Sequence, residues 1–196
     1  EALKRLPPAP EPIGVEEFSE RQGRLTQQFR TSDILIVVAP HEAVRSNDVH
    51  YRFRTSSDLM YLTGWTDPEA TFVLRHDGND WRSALFVQPK DTLKEIWEGR
   101  REGTEGALEH YAVDEAYPTD ERNDRLSEWL SDAKRVFHRS SVDPALDALV
   151  LESIERRDRK RQHFGTGPVT MFFCIFLKYK ASAIAFLLLT RLLLCR

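Results

Sequence analysis

Residues 71–87 read TFVLRHDGNDWRSALFV. Two apolar runs, 71–74 and 84–87, flank a polar segment containing Asp77, Gly78, Asn79 and Asp80. Side chains of Asp and Asn bond back to their own backbone, and glycine adopts angles that other residues avoid, so this segment has the chemistry of a turn. The stretch is predicted to be a β-hairpin. Just upstream, residues 33–38 (DILIVV) form a β-branched apolar run, the pattern of a buried strand, which Ala39-Pro40 ends. Before it, Phe18, Gln22, Leu25 and Phe29 recur at the spacing of one helix face, with Arg and Gln opposite.

Downstream, residues 91–97 lead into a glycine-rich link over 98–106, and Thr104 is expected to cap a short helix reaching about Tyr111. Thr119, Asp120 and Glu121 open a further helix with Leu126, Trp129 and Leu130 on its apolar face. Residues 135–138 (RVFH) read as a strand. Asp143-Pro144 marks another helix start, with Leu146, Leu149, Val150 and Ile154 inward, and this helix is expected to dissolve in the basic run 156–161. Strands and helices therefore alternate, which favours a parallel sheet, but the hairpin requires an antiparallel pair. The predicted class is α/β: a mixed β-sheet flanked by helices.

The 196 residues suffice for one domain with a tail. All 31 acidic residues precede Gly167, so residues 1–166 carry 24 basic against 31 acidic side chains, a net of −7. An acidic body argues against nucleic-acid binding. Both cysteines, Cys174 and Cys195, lie in the last thirty residues. The body thus offers no disulfide, thiolate nucleophile or cysteine-ligated zinc, which fits a reducing compartment. Residues 1–14 are proline-rich and read as an extended arm without the apolar core of a signal peptide.

Residues 167–196 change composition abruptly. Their apolar runs are each shorter than the ~20 residues needed to span a bilayer. Lys178 and Lys180 would sit mid-span, at ~2.5–3.5 kcal/mol each. A membrane tether through residues 169–195 is therefore the less favoured reading. A frameshift, retained intron or mispredicted gene end explains the break better, and the tail is expected not to be native to the fold.

Six histidines (His41, His50, His76, His110, His138, His163) are scattered without the HExxH pattern, and surface or partly buried roles account for them. No nucleophile elbow or phosphate loop is present, and Glu98, Glu102 and Glu105 would repel phosphate from the glycine-rich link. Asp77, Asn79 and Asp80 are explained by the turn without a cation. Arg52, Arg54, Arg100 and Arg101 stand among aromatics; pairing with carboxylates such as Asp58 or Glu98, bracing an irregular loop, outweighs ligand contact. Trp97 stands alone as a bulky aromatic on a polar link. Composition favours core packing for it, with ligand stacking as the alternative.

Residues 47–70 (NDVHYRFRTSSDLMYLTGWTDPEA) and 95–118 (EIWEGRREGTEGALEHYAVDEAYP) together resemble the N-terminal domain of the aminopeptidase P (Xaa-Pro aminopeptidase) family. The matching residues are Tyr51, Phe53-Arg54, Ser57-Asp58, the run Tyr61-Leu62-Thr63-Gly64, Pro68-Glu69-Ala70, Glu95-Ile96-Trp97, Gly99-Arg100-Arg101 and Gly103. Leu59 departs from the aromatic common in relatives. The resemblance covers residues 17–171 and implies a mixed sheet with flanking helices over residues 15–166. It implies that Trp97 lies near the substrate pocket and that Asp48 reaches the pocket of a neighbouring subunit. Both would bind peptide with proline second, without performing chemistry. The family's hydrolysis uses two metal ions, typically manganese, held by carboxylates and a histidine on a C-terminal domain whose motifs are absent after Met171. The resemblance therefore predicts no catalytic residue and no metal ligand in this chain, inactivity alone, and a cytoplasmic homo-oligomer as the full-length parent. A stand-alone peptide-binding module is the alternative.

Overall fold

The computed structural model describes residues 12–164 and 170–173. The arm read over residues 1–11, and the tail read over 167–169 and 174–196, lie outside the described residues. Helix α1 (Val15–Thr26) leads into strand β1 (Asp33–Val38), then a small hairpin of β2 (Val44–Ser46) and β3 (Val49–His50). Helix α2 (Ser57–Thr63) precedes the hairpin of β4 (Thr71–His76) and β5 (Trp81–Val87). Helices α3 (Thr92–Glu98) and α4 (Gly103–His110) lead to β6 (Glu115–Pro118). Helix α5 (Arg122–Asp132), strand β7 (Arg135–His138), helix α6 (Pro144–Phe164) and strand β8 (Thr170–Phe173) complete the order.

Six strands form one sheet in the order β6-β5-β4-β1-β7-β8. Strand β4 is antiparallel to β1 and β5, while the β5–β6, β1–β7 and β7–β8 pairs are parallel. The mixed sheet with helices on its faces is the architecture expected from the sequence. The 71–87 hairpin forms with Thr71 opposite Phe86 and His76 opposite Trp81. Its turn is held by Asp77 Oδ1, which accepts the N–H groups of Asn79 (2.8 Å) and Asp80 (2.9 Å). These bonds, then the Arg82 side chain, hold the Asp77 carboxyl well below the usual carboxylate range.

Side-chain alternation divides the core into two layers. Ile34, Ile36, Val38, Val73, Phe86 and Val136 face α5 and α6, meeting Leu126, Leu130, Leu146 and Val150. Phe72, Leu74, Leu85 and Val87 face the other way, against Leu59, Leu62, Trp65 and Ala107 of the α2 and α4 side. Phe72 and Phe86 are fully buried, so truncating either to Ala would cost about 3–5 kcal/mol. Polar ties brace neighbouring segments. Arg135 Nε donates to Asp33 Oδ1 at 2.7 Å across the parallel β1–β7 pair. Gln22 of α1 is buried, and its amide donates to the carbonyls of Leu62 (2.9 Å) and Ala112 (2.8 Å).

Several local expectations are corrected. The stretch read as an irregular loop contains α2, whose start is capped by Ser56 Oγ accepting the Leu59 N–H and whose end turns through Gly64 at φ 75°. Neither Arg52 nor Arg54 has an ion-pair partner among the described residues; Asp58 instead lies 4.0 Å from Arg139. Residues 91–97, read only as leading into the glycine-rich link, include a helix that Asp91 caps. Helix α4 starts at Gly103 with no side-chain cap, so Thr104 does not cap it. Thr119–Glu121 is a 3-10 turn, and α5 begins only at Arg122. Phe29 lies beyond the end of α1 and stacks on Phe137 at 4.8 Å. The 156–161 basic run stays helical to Phe164. Strand β6 had no apolar run to announce it, and β8 pairs with β7 from within the segment read as tail.

Candidate functional site

Strands β1 and β5 point the same way across the sheet, so the β2–β3 hairpin and α3, which follow them, leave from the same end. The hairpin pairs Val44 with His50 and Ser46 with Val49, leaving Asn47 and Asp48 as its tip. Asn47 takes φ 50°, a left-handed value that Asn tolerates better than most residues. Asp48 is therefore carried on a tight turn and is exposed, and Val44, Val49 and Tyr51 beside it are exposed apolar groups.

Trp97 lies on α3 and is 88 % exposed. Core packing, which composition favoured, is thus corrected: no layer of the core includes this indole. Leu93 and Ile96 are also exposed, giving α3 an apolar face toward solvent. No hydrogen bond or ring contact joins Trp97 to Asp48 in this chain. Two shallow clefts lie elsewhere, one beside Asp33, Arg75 and Trp129 and one beside Gln22, Trp81 and Tyr111.

A second cluster, unmarked by any motif, involves the segment that follows α3. Asp67, Glu102 and Tyr111 come from three separate segments and sense one another electrostatically. Burial, reinforced by the charge of Glu102, raises the Asp67 carboxyl above its ordinary value. Burial and the two carboxylates raise the Tyr111 hydroxyl likewise. The Tyr111 ring covers Trp65 at 4.7 Å, and the buried Trp65 Nε1 has no hydrogen-bond partner among the described residues. Only tertiary packing brings these groups together, so spacing could not reveal them.

Residues 18–137 match the family described as aminopeptidase P, N-terminal domain. The chain belongs to this family. It is 35% identical over 161 residues to the Xaa-Pro aminopeptidase of Escherichia coli (strain K12), covering 81% of this chain and 36% of that protein. The Xaa-Pro aminopeptidase of Haemophilus influenzae is 35% identical over 138 residues, 70% of this chain and 32% of that one. Solved structures of E. coli aminopeptidase P, including a variant in complex with substrate and a zinc-substituted form in complex with product, superpose with a TM-score of 0.72 at 33% identity. Each covers 83% of this chain and 37% of the solved one. The chain therefore spans about a third of the length of the relatives it matches. As an aminopeptidase P N-terminal domain it carries Asp48 and Trp97 on exposed elements at one end of the sheet.

Among the described residues no group of three or more His, Cys, Asp or Glu side chains is placed to hold a metal ion. The described residues do not fit a metal centre. Among the described residues no helix is long and apolar enough to cross a membrane.

Proposed function

We propose that this chain serves as the non-catalytic N-terminal domain of a cytoplasmic Xaa-Pro aminopeptidase, helping subunits associate and narrowing the entrance to the peptide site. The parent reaction is release of the residue that precedes proline, with two metal ions, manganese by family habit, held outside the described residues. Trp97 and Asp48 contact the peptide, the first by stacking on the proline ring and the second by accepting hydrogen bonds.

The observation that carries this reading is the exposure of Trp97: an 88 % exposed indole on a helix with an apolar outer face. A large aromatic left in water costs solubility unless it has a partner, and contiguous exposed apolar surface marks interaction sites. The hairpin with Val44, Val49 and Tyr51 supplies a second such surface for a neighbouring copy.

The test has two arms. Sedimentation velocity on the chain with Val44→Asp and Tyr51→Asp, beside wild type, reads self-association; a wild-type chain that stays monomeric to high micromolar concentration refutes the assembly role. Titration with a proline-second tripeptide reads the peptide contact; Trp97→Ala and Asp48→Ala are expected to weaken it, and unchanged affinity in both refutes their assignment.

A further inference from the structure

We infer that Asp91 and Glu95 are positioning residues, clasping the loop 89–103 so that the Trp97 indole is held out as a preset peptide contact. This rests on the peptide-binding reading of Trp97 above and names what makes that contact rigid.

Helix α3 has seven residues. Helices this short do not persist alone in water. Core burial does not rescue it, since Leu93 and Ile96 are 74 % and 70 % exposed. Polar bonds hold it instead. Asp91 Oδ1 accepts the N–H groups of Leu93 (3.0 Å) and Lys94 (3.2 Å) at the helix start. One turn on, the Glu95 N–H donates to the Asp91 carbonyl at 2.8 Å, and the Glu95 carbonyl accepts the Gly99 N–H at 3.2 Å. The Glu95 carboxylate then accepts the Arg101 N–H at 3.2 Å, tying the helix to the returning chain. Gly99, at φ 95°, makes the reversal that brings Arg101 back.

The base of the loop is closed by contacts between its two arms. Arg101 Nη1 reaches the Pro89 carbonyl at 3.4 Å. Gly103, at φ 65°, lies so close to Lys90 that a Cβ there would come within 2.8 Å of its side chain. Glu95 thus holds the helix and its turn through its backbone and the returning chain through its carboxylate, two residues before Trp97. The polar side of α3 is tied down and its apolar side faces water. An aromatic group already ordered before binding avoids the entropy cost of being ordered by its ligand.

The experiment uses the whole chain and two readouts. The Trp97 contribution to fluorescence anisotropy is taken as the difference between each variant and its Trp97→Phe counterpart. Affinity is measured with a dansyl-labelled Ala-Pro-Ala tripeptide. Glu95→Ala and Asp91→Ala are expected to lower the Trp97 anisotropy and weaken binding about 3- to 10-fold, the cost of immobilising one side chain. Glu95→Gln and Asp91→Asn keep an acceptor oxygen and restore both readouts. Urea midpoints stay at the wild-type value in all four, which separates positioning from a general loss of fold. Wild-type anisotropy in both alanine variants overturns the inference, as does Glu95→Gln behaving like Glu95→Ala. A wild-type chain that does not bind the tripeptide sinks the peptide reading, while the anisotropy arm still decides the clasp.

Discussion

Replacing Gln22 with Ala removes a side chain that bonds α1 to two other segments at once. Its amide nitrogen donates to Leu62 O at 2.9 Å and to Ala112 O at 2.8 Å, and the residue is 7 % exposed. Each net bond contributes about 0.5–1.5 kcal/mol, and each carbonyl left buried without a donor costs about 1–3 kcal/mol. Partial entry of water at the site trims the sum, so Gln22→Ala is expected to cost about 2–4 kcal/mol. For a domain of this size that is a fall in Tm of about 4–16 °C. Urea unfolding followed by tryptophan fluorescence, with calorimetry as a check, measures it. Gln22→Glu sharpens the test. At neutral pH its carboxylate would face the two carbonyl oxygens with no proton to donate, so the loss exceeds that of alanine. The folded carboxyl is then raised above its unfolded value, and stability recovers as pH falls and the acid form donates one bond. A loss under about 0.5 kcal/mol for Gln22→Ala, or a glutamate variant no worse than alanine at pH 7, would refute the accounting.

Other outcomes are equally definite. Gly64→Ala should cost at least about 1–2 kcal/mol in urea unfolding, because φ 75° is left-handed and the new Cβ would lie 2.8 Å from the Phe18 ring. Burial alone would raise the Asp143 carboxyl, but the Leu146 N–H and Arg122 outweigh it and hold it below its ordinary value. Its contribution is therefore present above about pH 4 and is lost as pH falls through the depressed folded value, and Asp143→Asn should flatten the acid limb of a stability–pH profile. Burial raises the Asp58 carboxyl against the pull of Arg139, so Arg139→Ala should move its carboxyl titration further up in carbon-13 NMR. Trp97→Ala should leave the urea midpoint within about 0.5 kcal/mol of wild type, since the indole contacts neither core layer.

The sequence exposed those elements whose side chains are sorted by burial. The 71–87 hairpin was legible because a turn with its own hydrogen-bonding chemistry separates two apolar runs. Strand β1 was legible because it is buried on both faces, and Gln22 fell on the correct face of α1 by spacing alone. Strand β6 was hidden because all four of its residues are only half-buried at the sheet edge. Helices α2 and α3 were hidden because each is only seven residues long, with one side-chain cap, Ser56 or Asp91, at its start. At the candidate site, the family motif singled out Trp97 and Asp48, and the structure adds their exposure and supports. The grouping of Asp67, Glu102 and Tyr111 depends on chain paths that no local pattern encodes.

Strand β6 has one further consequence. It is four residues long, ends at Pro118 and, among the described residues, pairs only with β5 at the sheet edge. Proline has no N–H to offer a neighbour, and a strand this short presents little template for another chain. Edge-to-edge continuation of the sheet through β6 is thereby blunted. Copies of this protein that meet along this edge therefore find little backbone to pair with, and sheet growth through β6 is disfavoured.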